Sequence, residues 1–199
     1  MELLGNSLDD IFNKNGKKFP IQFVLYVGLR MIDIIETVHN AGYLHRDIKP
    51  GNFLIRPQTK EVCGIDFGLS KKYIDNNGDH ISLRTGKSLV GTARYASVNI
   101  HLGFEPSRRD DIESIGYVLL YFAIGRLPWQ GLKGGGKKAS LKLIGNRKIT
   151  TSINILCDGY PPCLKEIVNY AKELAFDEEP NYEYLREFIK RDIISKTSS

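Results

Sequence analysis

Residues 115–125 read Ile-Gly-Tyr-Val-Leu-Leu-Tyr-Phe-Ala-Ile-Gly, an apolar run without a single charge. It is far shorter than the roughly 20 residues a helix needs to cross a bilayer. A helix that is apolar nearly all round must instead be buried on every side, so this segment has to sit at the centre of a core. The charged start Arg108-Arg109-Asp110-Asp111 and the glycine at 125 bound the expected central helix to 108–125.

A helix without a polar face needs partners, and the sequence offers amphipathic ones. Ile21, Val24, Leu25, Leu29, Ile32, Ile35 and Val38 recur at steps of three and four, predicting a helix from Pro20 to Asn40 stopped by Gly42. Similar patterns predict helices over 161–175 and 181–194, and a short one over 8–14 capped by Ser7 or Asn6. Phe53-Leu54-Ile55 and Val62-Cys63-Gly64-Ile65, joined by a turn at Pro57–Lys60, predict a small hairpin. Residues 70–106 are rich in turn formers and read as a long ordered loop, a kind that is usually functional. Gly131–Lys138 reads as a flexible break. The expected fold is mainly α with one small β-hairpin.

At 199 residues the chain suits one domain or one lobe of a larger one. Its 42% hydrophobic and 26% charged residues argue against disorder. The net charge of +5 is uneven. Between Ser114 and Cys157 lie Arg126, Lys133, Lys137, Lys138, Lys142, Arg147 and Lys148 and no acid, a stretch that reads either as a solvated face or as a patch for acidic partners. Cys63, Cys157 and Cys163 cannot all pair and form no CxxC, which predicts reduced thiols and no zinc site. The start MELLGNSLDD lacks the basic and apolar regions of a signal peptide. A cytoplasmic or nuclear protein is expected, with no membrane and no nucleic-acid partner.

Chemistry concentrates between the long helix and the hairpin's end. His45-Arg46-Asp47-Ile48-Lys49-Pro50-Gly51-Asn52 fits H-R-D-x-x-x-x-N, and Asp66-Phe67-Gly68 follows. In this order, with a hairpin between them, the segments resemble the catalytic loop and metal-binding segment of protein kinases. Phosphoryl transfer needs a carboxylate to orient a hydroxyl and take its proton, which Asp47 can do. It also needs hard oxygen ligands for Mg²⁺, which Asp66 and Asn52 can supply. Lys49 is suited to sit against the transferring phosphate. The alternative readings are a helix-capping Asp47, a turn-forming Asp66-Phe67-Gly68 and a packed structural His45.

Further motifs narrow the resemblance. Gly91-Thr92-Ala93-Arg94-Tyr95-Ala96-Ser97-Val98-Asn99, then His101-Leu102-Gly103, Ser107-Arg108-Arg109-Asp110-Asp111 and Leu127-Pro128-Trp129-Gln130-Gly131 are similar to the casein kinase I family of serine/threonine kinases. In that family S-I-N replaces the usual A-P-E, and Ser97-Val98-Asn99 stands there here. The resemblance runs from Met1 to about Asp192 and implies a kinase large lobe over 1–199. Its parts would be a catalytic loop at 43–55, an activation segment at 66–99, the central helix at 108–125 and C-terminal helices within 161–194.

The resemblance also implies roles. Asp47 would be the catalytic base, Lys49 the phosphate contact and Asn52 and Asp66 the Mg²⁺ ligands. Leu54 would pack beneath adenine and Ile65 line the back of that pocket. Thr92 would bridge Asp47 and Lys49, and Asp111 would hold the catalytic-loop backbone rather than merely cap its helix. Arg94 would belong to an anion site favouring acidic or already phosphorylated protein substrates. ATP and Mg²⁺ are the implied cofactors. The family's further basic partner within Gly131–Lys142 does not align cleanly. No G-x-G-x-x-G loop and no V-A-I-K lysine occur, so the sequence reads as a large lobe without its small lobe, with autonomous activity doubtful. A non-catalytic interaction module and a fragment of a full kinase are the alternatives.

Overall fold

The computed structural model describes residues 4–197. Helix α1 (Leu8–Lys14) starts at a reciprocal cap in which Ser7 and Asp10 each satisfy the other's backbone N–H. Helix α2 (Ile21–Asn40) follows, and Gly42 turns the chain in a left-handed conformation. Then come β1 (Tyr43–Leu44), a 3₁₀ turn at Pro50–Asn52, β2 (Phe53–Ile55), β3 (Val62–Gly64) and β4 (Lys71–Lys72). The remainder is helical: α3 (Val98–His101), α4 (Arg108–Ile124), α5 (Lys137–Thr150), α6 (Ile153–Leu156), α7 (Pro162–Glu173) and α8 (Tyr182–Thr197).

Helix α4 is the expected centre: every residue from Asp110 to Ala123 is buried. At its N-terminus the Asp110 carboxylate accepts the Ser107 N–H at 2.7 Å, and Gly125 closes it in the left-handed region. Helices α2 and α7 lie against it, and α8 packs on both of them. The approach of α4 to α7 is close enough that a Cβ on Gly116 would come within 2.5 Å of the Val168 side chain. Likewise Gly28 of α2 faces Leu119 of α4 and Ile189 of α8. Strands β2 and β3 pair antiparallel in the register Phe53 to Gly64 and Ile55 to Val62, forming the expected hairpin. Strands β1 and β4 pair as well, tying the chain after position 68 back to the end of α2.

Three expectations need correction. The segment 70–106 is not wholly loop, since β4 and the one-turn α3 lie within it. The residues after the glycine run form the fourteen-residue helix α5, which the pattern gave no reason to expect. Its fully buried residues are Gly145 and Lys148, a helix breaker and a charge, and Ile144 packs only partly buried against the core, so its core face carries a weak apolar pattern. Lys148 consequently adds no charge to the basic surface, because its ammonium is enclosed. It donates to the carbonyls of Ala93 and Ala96 and lies over the rings of Tyr117 and Trp129 at 4.8 and 5.3 Å. Burial pushes its pKa down to about 7. Cys63, Cys157 and Cys163 are free thiols, and among the described residues no helix is long and apolar enough to cross a membrane.

Candidate active site

The chain between β1 and the 3₁₀ turn is irregular, and a side chain from a distant element holds its first backbone groups. Asp111, in the first turn of α4, accepts the N–H of His45 at 2.8 Å and of Arg46 at 2.9 Å. The same carboxylate meets His39 Nε2 at 2.9 Å, and His39 Nδ1 faces the Tyr182 hydroxyl at 2.7 Å. Burial alone would raise the Asp111 pKa. Hydrogen bonds from His39 and the Arg46 N–H outweigh it and hold the group below its ordinary range. Helices α2, α4 and α8 thus converge on one buried carboxylate that fixes the loop. Arg46 sits in the left-handed region at φ 68°, and its Nε donates to the Leu69 carbonyl at 2.6 Å, joining the two motif segments.

This frame presents Asp47. Its carboxylate is 5% exposed and accepts from Lys49 Nζ at 2.5 Å on Oδ2 and from Thr92 Oγ1 at 2.8 Å on Oδ1. Asn52 Nδ2 donates to the Asp47 carbonyl at 2.9 Å and to Oδ2 at 3.3 Å. Desolvation opposes ionisation here, yet these donors keep the pKa below that of an ordinary aspartate. Asp47 is therefore an anion at neutral pH, able to accept a hydrogen bond or a proton. The four polar side chains Asp47, Lys49, Asn52 and Thr92 form one cluster although Thr92 lies forty residues beyond Asn52. Thr92 and Lys49 meet on the two oxygens of the Asp47 carboxylate, and among the described residues no hydrogen bond joins them directly. Gly91 must remain small for this, since a Cβ there would stand 2.3 Å from the Arg46 carbonyl.

Asn52 has its amide nitrogen committed to Asp47, which turns its Oδ1 into the atom available to a cation. Its carbonyl accepts the N–H of Ile65 at 2.9 Å, so the hairpin brings the second motif beside the first. Asp66 follows, exposed and left-handed at φ 62°, with Oδ1 accepting from Gly68 N–H at 3.2 Å. A non-glycine residue held in that region carries strain of about 1–3 kcal/mol that the surroundings must support. The exposed Phe67 ring rests 5.3 Å from His45. Leu54 and Ile65 are half-buried on the hairpin, flanking Asn52. Two oxygen ligands are too few to hold a divalent ion firmly, and among the described residues no cluster of three His, Cys, Asp or Glu side chains is present. Asp66 and Asn52 fit Mg²⁺ that arrives with most of its shell made of phosphate and water.

Arg94 lies beyond Thr92, half-buried, with its guanidinium 5.7 Å from the Tyr95 ring and 5.4 Å from that of Tyr121. Its carbonyl accepts from Trp129 Nε1 at 2.8 Å. Glu113 reinforces the next residues by accepting from the Val98 N–H at 2.9 Å and the Tyr117 hydroxyl at 2.7 Å. His39 and Glu113 carried no recognised signal, and Lys148 was expected only as one of the surface bases. His39 alone left a trace, as a polar residue four after Ile35 on the buried face of α2.

A buried carboxylate clamped by a lysine and a hydroxyl thus lies beside the two ends of a hairpin, where Asn52 and Asp66 carry side-chain oxygens, in a mainly helical lobe. The family model of the protein kinase domain matches residues 1–189. The chain belongs to the protein kinase domain family.

Proposed function

We propose that this chain carries out serine/threonine phosphorylation of the casein kinase I type, moving the γ-phosphoryl group of ATP to hydroxyls of acidic or already phosphorylated proteins. The observation that supports it most is the Asp47 carboxylate, ionised and held by Lys49, Thr92 and Asn52. A hydroxyl seated at Asp47 is oriented for attack and loses its proton to Oδ1 or Oδ2 as the new bond forms. Lys49 offsets the charge that develops on the transferred group. When bound, ATP with Mg²⁺ on Asp66 and Asn52 supplies the phosphoryl group and neutralises its oxygens. Leu54 and Ile65 offer the apolar floor for adenine.

The casein kinase I assignment is supported by Ser97-Val98-Asn99 at the A-P-E position, anchored here by Asp110 at the Ser97 hydroxyl and Glu113 at the Val98 N–H. Arg94 suits recognition of an anion near the acceptor hydroxyl. A cytoplasmic or nuclear site of action goes with such substrates. The described residues hold no phosphate-covering glycine loop, so residues 4–197 by themselves should bind ATP with Mg²⁺ weakly and transfer little.

The test joins a casein-kinase-type small lobe ahead of Met1 and measures radiolabelled phosphate transfer to acidic peptides differing only in serine, threonine or tyrosine. Transfer to serine and threonine but not tyrosine, lost in Asp47→Asn, is the expected result. A folded fusion that binds ATP and transfers nothing overturns the proposal.

A further inference from the structure

Helices α7 and α8 pack antiparallel, with Tyr170 meeting Tyr184 at one end and the Cys163 N–H meeting Asp192 at the other. The seam between them ends in a cavity of about 300 Å³ lined by Pro162, Cys163, Glu166, Phe188, Arg191 and Asp192. None of Asp47, Lys49, Asn52, Asp66 or Thr92 lines that cavity. We propose that this seam docks a basic amphipathic helix of a partner protein, with an arginine of that helix entering the cavity.

Two independent features of the seam point to that occupant. The first is an uncovered aromatic strip. Tyr184, Glu187, Phe188 and Arg191 recur at steps of three and four and so share one face of α8. Tyr170 lies 5.6 Å from Tyr184, Tyr184 lies 4.4 Å from Phe188, and the Arg191 guanidinium covers Phe188 at 4.7 Å. Tyr184 is 42% exposed, whereas Tyr170 and Phe188 are half-buried against the core. The Tyr170 hydroxyl accepts the Asn181 N–H at 2.7 Å, which fixes the strip to the turn between the two helices. Linked rings held in this way offer apolar area at little cost in freedom, and their faces attract cations. A third helix laid along two packed helices is the partner such a seam accepts.

The second feature is charge. Asp192 is half-buried in the cavity and accepts the Cys163 N–H at 2.8 Å, yet it forms no ion pair among the described residues. The adjacent base, Arg191, is turned onto Phe188 instead. A carboxylate partly withdrawn from water gains most from a cation that reaches it with hydrogen bonds. Glu166 beside it has only the loose contact with Lys165 at 3.7 Å. Over 166–192 eight acids stand against four bases, and two of those bases, Arg186 and Lys190, are taken up by Glu183. A lone cation would leave Tyr184 bare, and an apolar segment would leave Asp192 without a counter-ion. A helix carrying arginine and large apolar residues on one side meets both needs.

Fluorescence anisotropy with a labelled 14-residue arginine/leucine peptide, leucines spaced three and four apart, tests the proposal on the chain as it stands. Binding should weaken at least tenfold in Glu166→Gln/Asp192→Asn and at least fivefold in Tyr184→Ser. Asparagine keeps an oxygen for the Cys163 N–H and Tyr184 is exposed, so circular dichroism should show an intact fold. If Asp192→Asn does unfold the chain, Glu166→Gln alone should weaken binding at least threefold. Asp177→Asn/Glu179→Gln removes two exposed charges outside the cavity and should leave binding within twofold. Replacing the peptide's arginines by citrulline, or its leucines by alanine, should each abolish most of the binding. Absent binding, or binding that ignores Tyr184→Ser, overturns the proposal. An equal loss in Asp177→Asn/Glu179→Gln overturns it too and leaves bulk charge only, as does sedimentation showing that a second copy of the chain fills the seam.

Discussion

Asp47 and Asp66 lie nineteen residues apart and face opposite circumstances. Asp47 is buried, with Lys49, Thr92 and Asn52 on its carboxylate and Asp111 holding the backbone on its N-terminal side. Asp66 is exposed and keeps one local contact, the Gly68 N–H. The first is wired by its own loop, by Thr92 and by the start of α4 before any ligand arrives. The second stands ready for one. On the proposed function, the base side of the site would be part of the fold, whereas the metal side would gain its full environment from a bound nucleotide.

The strongest way to break this contrast is through Asp47 itself. In the small-lobe fusion, Asp47→Asn should lower kcat by about 10³-fold or more while ATP binding changes little, because the residue acts on the acceptor hydroxyl. Asp66→Ala should damage nucleotide affinity and turnover together. Single-turnover kinetics with isothermal titration separates the two. An equal loss of ATP affinity in both variants would erase the distinction.

Next in size is the support beneath Asp47. Asp111→Ala removes the acceptor of two buried N–H groups and of His39, and should destabilise the chain by about 3–5 kcal/mol in urea denaturation. Asp66→Ala loses one local hydrogen bond and puts alanine in the left-handed region, and should cost no more than about 1 kcal/mol. Comparable losses would mean the metal arm is as integral as the base.

The neighbour Asp110 sharpens the same point through pH. Burial pushes Asp110 up to about 6 despite hydrogen bonds from the Ser97 hydroxyl and the Ser107 N–H. Its folded pKa exceeds the unfolded value, so its contribution is fully present below about pH 4 and is lost as pH rises through 6. The shift from 3.8 corresponds to about 3 kcal/mol. Asp47 has the opposite sign: depressed in the fold, it contributes above about pH 4, a stability lost as pH falls through its folded value. Stability measured from pH 4 to 7 should therefore rise relative to wild type in Asp110→Asn at the upper end, and the wild-type decline should flatten. An unchanged slope would remove Asp110 as its source.

The smallest effect concerns Thr92. Thr92→Val deletes one donor to Asp47 while Lys49 and Asn52 stay, so urea denaturation should register a loss of about 1 kcal/mol. It should also raise the Asp47 pKa, moving the acid limb of the fusion's kcat profile upward. A loss well above that would mean Thr92 carries the clamp alone.

How much of this was legible depended on where the determining contacts lie. The sequence alone identified the buried central helix, because an uncharged run of eleven residues has no other soluble solution, and it identified α2, α7 and α8 through their periodicity. The loop His45–Asn52 and the hairpin to Gly68 were legible because their chemistry is local: ligand types at fixed spacing and two short strands joined by a turn. Residue types also named Asp47, Asn52 and Asp66 as candidates. Tertiary structure decided the rest. That Thr92 closes on Asp47, that His39 and Tyr182 stand behind Asp111, and that Arg46 reaches Leu69 are contacts across 23 to 143 residues, for which no local pattern exists. Helix α5 was invisible for a different reason. Its buried face is made of Gly145 and Lys148, and a lysine can enter a core only where carbonyls and aromatic rings from Ala93, Ala96, Tyr117 and Trp129 already wait for its charge. Periodicity reports apolar burial alone, so a core contact built from a charge and a glycine becomes visible only once the chain has folded around it.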